Sequence, residues 1–169
     1  MSKVVYLDHH ATTPLDRRVL EAMMPYLTAE FGNPASRTHE YGRRAEAAVE
    51  AARSRLAAFL GAHPDEIIFT AGATEANNLA IKGGARRARK RGGGTHLITT
   101  ALEHKSVLAS VLALEDEGFT SQVLVPERDG RLDPASVDRA LTPETVLVSV
   151  VSANSEIGSL QPVEALAER

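Results

Sequence analysis

Four apolar runs recur along this chain, and each precedes a segment with helical spacing. EIIFT (66–70) precedes ATEANNLAIKGGARRARKR (73–91), and THLITT (95–100) precedes HKSVLASVLALEDEG (104–118). SQVLVP (121–126) precedes DPASVDRAL (133–141), where Asp133 suits an N-cap and Pro134 the first helical position. TVLVSVV (145–151) precedes PVEALAER (162–169). Strands made almost wholly of Val, Ile and Leu, separated by amphipathic helices, predict an α/β fold: a mostly parallel sheet with helices on both faces. Upstream, the spacing predicts a helix over 17–29 and a long Ala-rich one over 41–60, closed by Gly61 with Pro64 just beyond. Residues 1–60 therefore read as an N-terminal segment with helices, and 61–169 as an α/β part. The last apolar run ends close to Arg169, which leaves an edge without cover. The expectation is the first part of something longer, or half of an obligate assembly.

Composition narrows the function classes. An apolar content of 43% is enough for a packed core, which argues against disorder. A net charge of -3 gives no general basic character and argues against nucleic acid as a partner. The one basic run, ARRARKRGGG (85–94), reads as a solvated helix end, where cations complement the dipole and Gly stops the helix. The absence of cysteine excludes disulfides and thiolate metal sites within the chain and fits a reducing compartment. MSKVVYLDHH carries no long apolar stretch, so neither a signal peptide nor a membrane span is expected there, and a cytoplasmic location is the default.

Polar residues gather where the apolar runs end. After EIIFT come Ala71, Gly72, Ala73 and Thr74 at the start of a helix, where unpaired N–H groups and the helix dipole attract anions. An anion held by the amides of Ala73 and Thr74 and by the Thr74 hydroxyl explains the small side chains; an ordinary tight turn with Thr74 as N-cap explains them too. The glycine spacing is that of neither a P-loop nor a dinucleotide fingerprint. THLITT leads to His104 at the next helix start, and TVLVSVV to Asn154, Ser155 and Glu156 in a loop. In open parallel sheets, ligands bind outside the carboxyl ends of the strands, so these three loops are expected on one rim. His9 and His10 are adjacent, point different ways and have no carboxylate cluster nearby, so no metal site is expected.

YLDHHATTP, FGNPASRTHEYG, EIIFTAGATEANNLAIKG, TTALEHKSVL and VSANSEIGSLQPV together resemble, in order and in register from Tyr6 onward, the N-terminal half of class I (NifS/IscS-like) cysteine desulfurases. These are fold type I, aspartate-aminotransferase-like enzymes dependent on pyridoxal 5′-phosphate. The resemblance implies part of that fold's large domain, with Ala73 and Thr74 as the phosphate-binding pair. It implies His104 as the residue that stacks on the pyridine ring and assists proton transfer. The family's second Asn in N-N-E-I-G, which bonds the cofactor's phenolic oxygen, is here Ser155; either its shorter hydroxyl or Asn154 takes that role.

The resemblance also implies L-cysteine as substrate, L-alanine as product, and a sulfur-acceptor or scaffold protein for iron–sulfur or thio-cofactor assembly. A homodimer is implied for the complete enzyme. The family's cofactor-bearing lysine, pyridine-nitrogen Asp, ring-supporting Gln and sulfur-attacking Cys match nothing in these residues; Lys105 follows His104 but belongs to a different motif. Alone, the chain is expected to be inactive. Selenocysteine lyase, a split or non-catalytic half, and a plain phosphate-binding α/β domain are the alternatives.

Overall fold

The computed structural model describes residues 4–168. It forms two compact units, Met1–Phe69 and Thr70–Arg169. In the first, α1 (Arg17–Thr28) begins where the Asp16 carboxylate accepts the Arg18 N–H at 2.8 Å. The second helix, α2 (Glu40–Leu60), starts at His39, whose Nδ1 accepts the Gly42 N–H at 3.2 Å. It stops at Gly61, which takes the left-handed conformation (φ 66°) that a helix C-terminus favours in glycine.

The expected strand at 66–70 does not form. Pro64–Glu66 makes a single 3-10 turn, and Ile67, the first residue beyond it, is extended. Among the described residues no second backbone pairs with this stretch, so no ladder forms. Ile68 accordingly stays 65% exposed.

The second unit carries the sheet: β1 (His96–Thr100), β2 (Thr120–Leu124) and β3 (Thr145–Val148), in the order β2-β1-β3 and parallel throughout. Its helices are α3 (Ala73–Lys90), α4 (Lys105–Glu115), α5 (Pro134–Ala140) and α6 (Val163–Ala167). Alternation along β1 divides the core in two. Leu97 packs with Ile81 and Ala85 of α3 and with Val107, Val111 and Leu114 of α4. Ile98 faces Leu124, Leu132, Val137 and Ala140, with Leu166 of α6 against them. Helices therefore cover both faces, and each buried Leu or Ile contributes about 1.5–3 kcal/mol. Among the described residues, no helix is long and apolar enough to cross a membrane.

The basic run is the exposed end of α3, as expected, and two of its arginines also have partners. Arg86 holds the Glu117 carboxylate through Nε (3.0 Å) and Nη2 (2.5 Å), while Arg89 donates to the Glu117 carbonyl and lies 4.4 Å from the centre of the Phe119 ring. It pins the end of α3 to the turn after α4. The glycines behind it are structural. Gly92 takes φ 84°, and Gly94 lies so close to the Glu144 backbone that no Cβ fits. That closeness lets the His96 N–H reach the Glu144 carbonyl at 2.8 Å as β1 and β3 begin to pair.

At the opposite end of the sheet, Glu103 joins the loops that leave β1 and β3. Its Oε1 accepts the Val151 N–H at 2.5 Å and the Thr100 hydroxyl at 3.1 Å. Burial pushes this carboxyl above its ordinary value, and those two hydrogen bonds oppose the shift without cancelling it.

Two outcomes are expected. Gly94→Ala, which must displace backbone, lowers stability by about 1–3 kcal/mol in urea unfolding. For Glu103 the folded state holds the proton more tightly than the unfolded chain. Its contribution is therefore fully present below the ordinary carboxyl value and is lost as pH rises through the raised one. Glu103→Gln keeps an acceptor for both hydrogen bonds, so it flattens that part of the stability–pH curve; an unchanged slope contradicts the assignment.

Candidate functional site

The N-terminus of α3 lacks the usual side-chain cap. Gly72 is its N-cap and offers no side chain, whereas Asp16, His39, His104 and Asp133 cap α1, α2, α4 and α5. Thr74 is the second helical residue, so the alternative in which its hydroxyl serves as N-cap does not hold. The amides of Ala73, Thr74 and Glu75 have no partner among the described residues; the first helical bond runs from the Ala76 N–H to the Gly72 carbonyl. The Glu75 carboxylate turns back to accept the Ala71 N–H at 2.7 Å. A Cβ at Gly72 would meet no atom of the chain within 4 Å. Internal packing therefore does not demand the glycine, and the space over three free amides and the Thr74 hydroxyl remains available to an anion.

His104 stands at the start of α4 as its N-cap. Its Nδ1 accepts the Ser106 N–H at 3.1 Å and lies 2.7 Å from the Ser106 hydroxyl. Asn77, one turn into α3, donates through Nδ2 to that hydroxyl at 2.8 Å. A chain of three side chains thus links the helix that begins at Ala73 to the imidazole. The ring is held at Nδ1, while its Nε2 has no partner among the described residues and the residue is exposed.

The loop after β3 is tied to the same place. Asn154 donates through Nδ2 to the Leu102 carbonyl at 3.0 Å, and its Oδ1 accepts the Glu156 and Ile157 N–H groups at 2.9 and 3.0 Å. With Glu103 bonded to Val151, the loop 101–104 is fastened to the loop 151–157 at two points. Ser155, next to the Asn154 anchor, is exposed. The Asn154 side chain bonds its own loop and the loop of Leu102, so turning it toward a ligand would break three bonds.

Hydrogen bonds thus tie α3, which begins at Ala73 and Thr74, to His104 through Asn77 and Ser106, and tie the loop of Asn154 and Ser155 to the loop that precedes His104, at the carboxyl ends of β1 and β3. Only two of the three expected strand ends take part, because the residues before Gly72 form no strand. Reasoning from sequence missed Asn77, Glu103 and Ser106. Two signals were available: Asn77 lies three residues after Thr74 on one helix face, and Ser106 and Ser110 are polar on the buried side of α4. His9 bonds Thr13 at 3.1 Å and sets its ring edge-on to Tyr6, a local loop arrangement. No group of three metal-ligating side chains occurs among the described residues. An apolar cleft of about 520 Å³ in the first unit, lined by Tyr26, Phe31 and Val49 among others, contains none of the cluster.

The donors fit the group that the sequence resemblance implies. A phosphate would take the α3 amides and the Thr74 hydroxyl, and a flat aromatic ring would find a flat partner in His104.

Comparison with known proteins agrees with this arrangement. The chain is 55% identical over 159 residues to the cysteine desulfurase IscS of Anaeromyxobacter sp. (strain K), covering 94% of this chain and 39% of that protein. A solved NifS-like protein superposes with a TM-score of 0.89 at 37% identity, over 97% of this chain and 44% of the other. SspA, solved in complex with cysteine, gives 0.86 at 40% identity, over 96% and 46%. The chain therefore spans about two fifths of the length of the relatives it matches. Residues 5–169 match aminotransferase class-V, a family that depends on pyridoxal phosphate. The chain belongs to the aminotransferase class-V family.

Proposed function

We propose that the protein carrying this sequence is a cysteine desulfurase. It would convert L-cysteine to L-alanine and pass the sulfur, as a persulfide, to an acceptor or scaffold protein. Residues 61–169 would supply much of the cofactor's seat within a large domain, and the complete enzyme would work as a cytoplasmic homodimer. The observation that supports this reading best is the uncapped start of α3, open above Gly72 and tied through Asn77 and Ser106 to His104. The similarity to named cysteine desulfurases supports the choice of substrate.

Each residue has a role that follows from its chemistry. The Ala73 and Thr74 amides and the Thr74 hydroxyl hold the phosphate, aided by the positive end of the helix dipole. His104 would offer its flat ring to the cofactor's pyridine and would be placed to move a proton at Nε2, the nitrogen left free by Ser106. Ser155 donates its hydroxyl to the cofactor's phenolic oxygen, and Asn154 holds the loop that presents it. Pyridoxal phosphate, when bound, acts as an electron sink for charge developing at the substrate's α-carbon. The chain has no cysteine, so it does not supply the side chain that receives the sulfur.

The full-length protein that contains these residues, purified and given pyridoxal phosphate and L-cysteine, should form L-alanine with persulfide on the enzyme; turnover confined to selenocysteine contradicts the assignment. Two substitutions test the phosphate seat. Thr74→Val keeps the shape and removes the hydroxyl, and should weaken cofactor affinity about tenfold or more in an absorbance titration. Gly72→Ser supplies the missing cap, so it should leave stability unchanged or raise it by a few tenths of a kcal/mol. Its hydroxyl competes for the same amides, and cofactor affinity should fall at least as far. Unchanged affinity in both variants sinks the phosphate assignment.

A further inference from the structure

We infer that Asn77 and Ser106 are positioning residues that hold neutral His104 in a single tautomer, with its proton on Nε2. The inference deepens the proposed function, because it rests on His104 facing the cofactor. Three hydrogen bonds carry it. The Ser106 backbone N–H, 3.1 Å from Nδ1, can only donate, so Nδ1 must present a lone pair. The Ser106 hydroxyl is 2.7 Å from the same nitrogen and has one hydrogen to give. Whether it gives that hydrogen to Nδ1 depends on its other partner. Asn77 favours that direction: its amide nitrogen donates to the hydroxyl oxygen at 2.8 Å and takes up one of its two lone pairs, while the Ser106 N–H already opposes a proton on Nδ1, so the hydroxyl hydrogen goes to His104.

Every donor in the chain thus points toward Nδ1, and the neutral ring's proton is left on Nε2, the exposed side. Burial keeps water from competing, since Ser106 is 7% exposed. Asn77 sits one turn into the helix that begins at Ala73. The residues that orient the imidazole are therefore rigidly connected to the turn assigned to the phosphate. The hydroxyl of Ser106 is also the one group in the chain that can reverse. If the ring gains a proton at Nδ1, that hydroxyl can rotate and accept it, whereas the backbone N–H cannot.

The test uses ¹⁵N-histidine NMR on the full-length protein, with the His104 signals assigned by their loss in His104→Gln. In cofactor-free wild type above the imidazole titration, Nδ1 should resonate as an unprotonated nitrogen and Nε2 as a protonated one. Asn77→Asp replaces the donor with an acceptor and draws the Ser106 hydrogen away; it should shift the tautomer ratio toward Nδ1–H about tenfold or more. Ser106→Ala, close in volume and expected to fold, should shift the ratio in the same direction by less, and Ser106→Thr should restore it. In the loaded enzyme, Asn77→Asp and Ser106→Ala should lower kcat about tenfold with KM changed by less than about twofold. A wild-type proton on Nδ1, a ratio unmoved by Asn77→Asp, or an unchanged kcat in both variants overturns the inference. Failure of the cofactor reading looks different: added pyridoxal phosphate would leave the His104 signals untouched while the tautomer still obeyed Asn77 and Ser106.

Discussion

The central position of β1 is the constraint on which the second unit depends. Its backbone pairs on both sides, with β2 over five matched positions and with β3 across a one-residue slip. Its side chains alternate between two separate cores. A strand so fixed cannot move its ends, so the loop that leaves Thr100 delivers Glu103 and His104 to one place. The slip beside His96 and the close approach of Gly94 to Glu144 adjust β3 at the opposite end, where no candidate site residue lies. Irregularity and chemistry are thus kept at opposite ends of the strands.

At the site end, hydrogen bonds replace apolar packing. The buried Thr100 hydroxyl bonds Glu103 as β1 ends, and the buried Ser106 and Ser110 make hydrogen bonds within α4 and to α3. Glu103 and Asn154 then tie two loops together through backbone groups, leaving Ser155 and the outer edge of His104 exposed. Such an arrangement suits a ligand that needs a rigid frame and a few well-placed donors. The start of α3, which no side chain caps, also has open space above its glycine.

Much of the architecture was legible in the sequence because local and long-range preferences agree. The apolar runs at 95–100 and 145–151 gave β1 and β3, the latter only as far as Val148, Asp133 and Pro134 opened α5, and Gly61 ended α2. EIIFT reads equally well as a strand, yet residues 67–70 lack a neighbour; strand formation needs a second backbone, which periodicity cannot reveal. The site was partly legible for a similar reason. His104, Thr74 and Ser155 stand out as polar residues at the ends of apolar runs. Asn77 and Ser106 lie within helices, and their function depends on a contact between residues 29 apart in sequence, visible only once α3 and α4 pack together. The basic run at 85–94 is an exposed helix end, as its sequence suggests, but the pairing of Arg86 with Glu117 was not legible because that carboxylate comes from the turn after another helix.

The account claims that the free amides at the start of α3 hold the phosphate of pyridoxal phosphate beside His104. A crystal structure of the full-length protein grown with the cofactor tests that claim most directly. The account predicts the phosphate within hydrogen-bonding distance of the Ala73 and Thr74 amides, with the pyridine ring against the imidazole. A cofactor bound with its phosphate elsewhere, or with its ring away from His104, would contradict it.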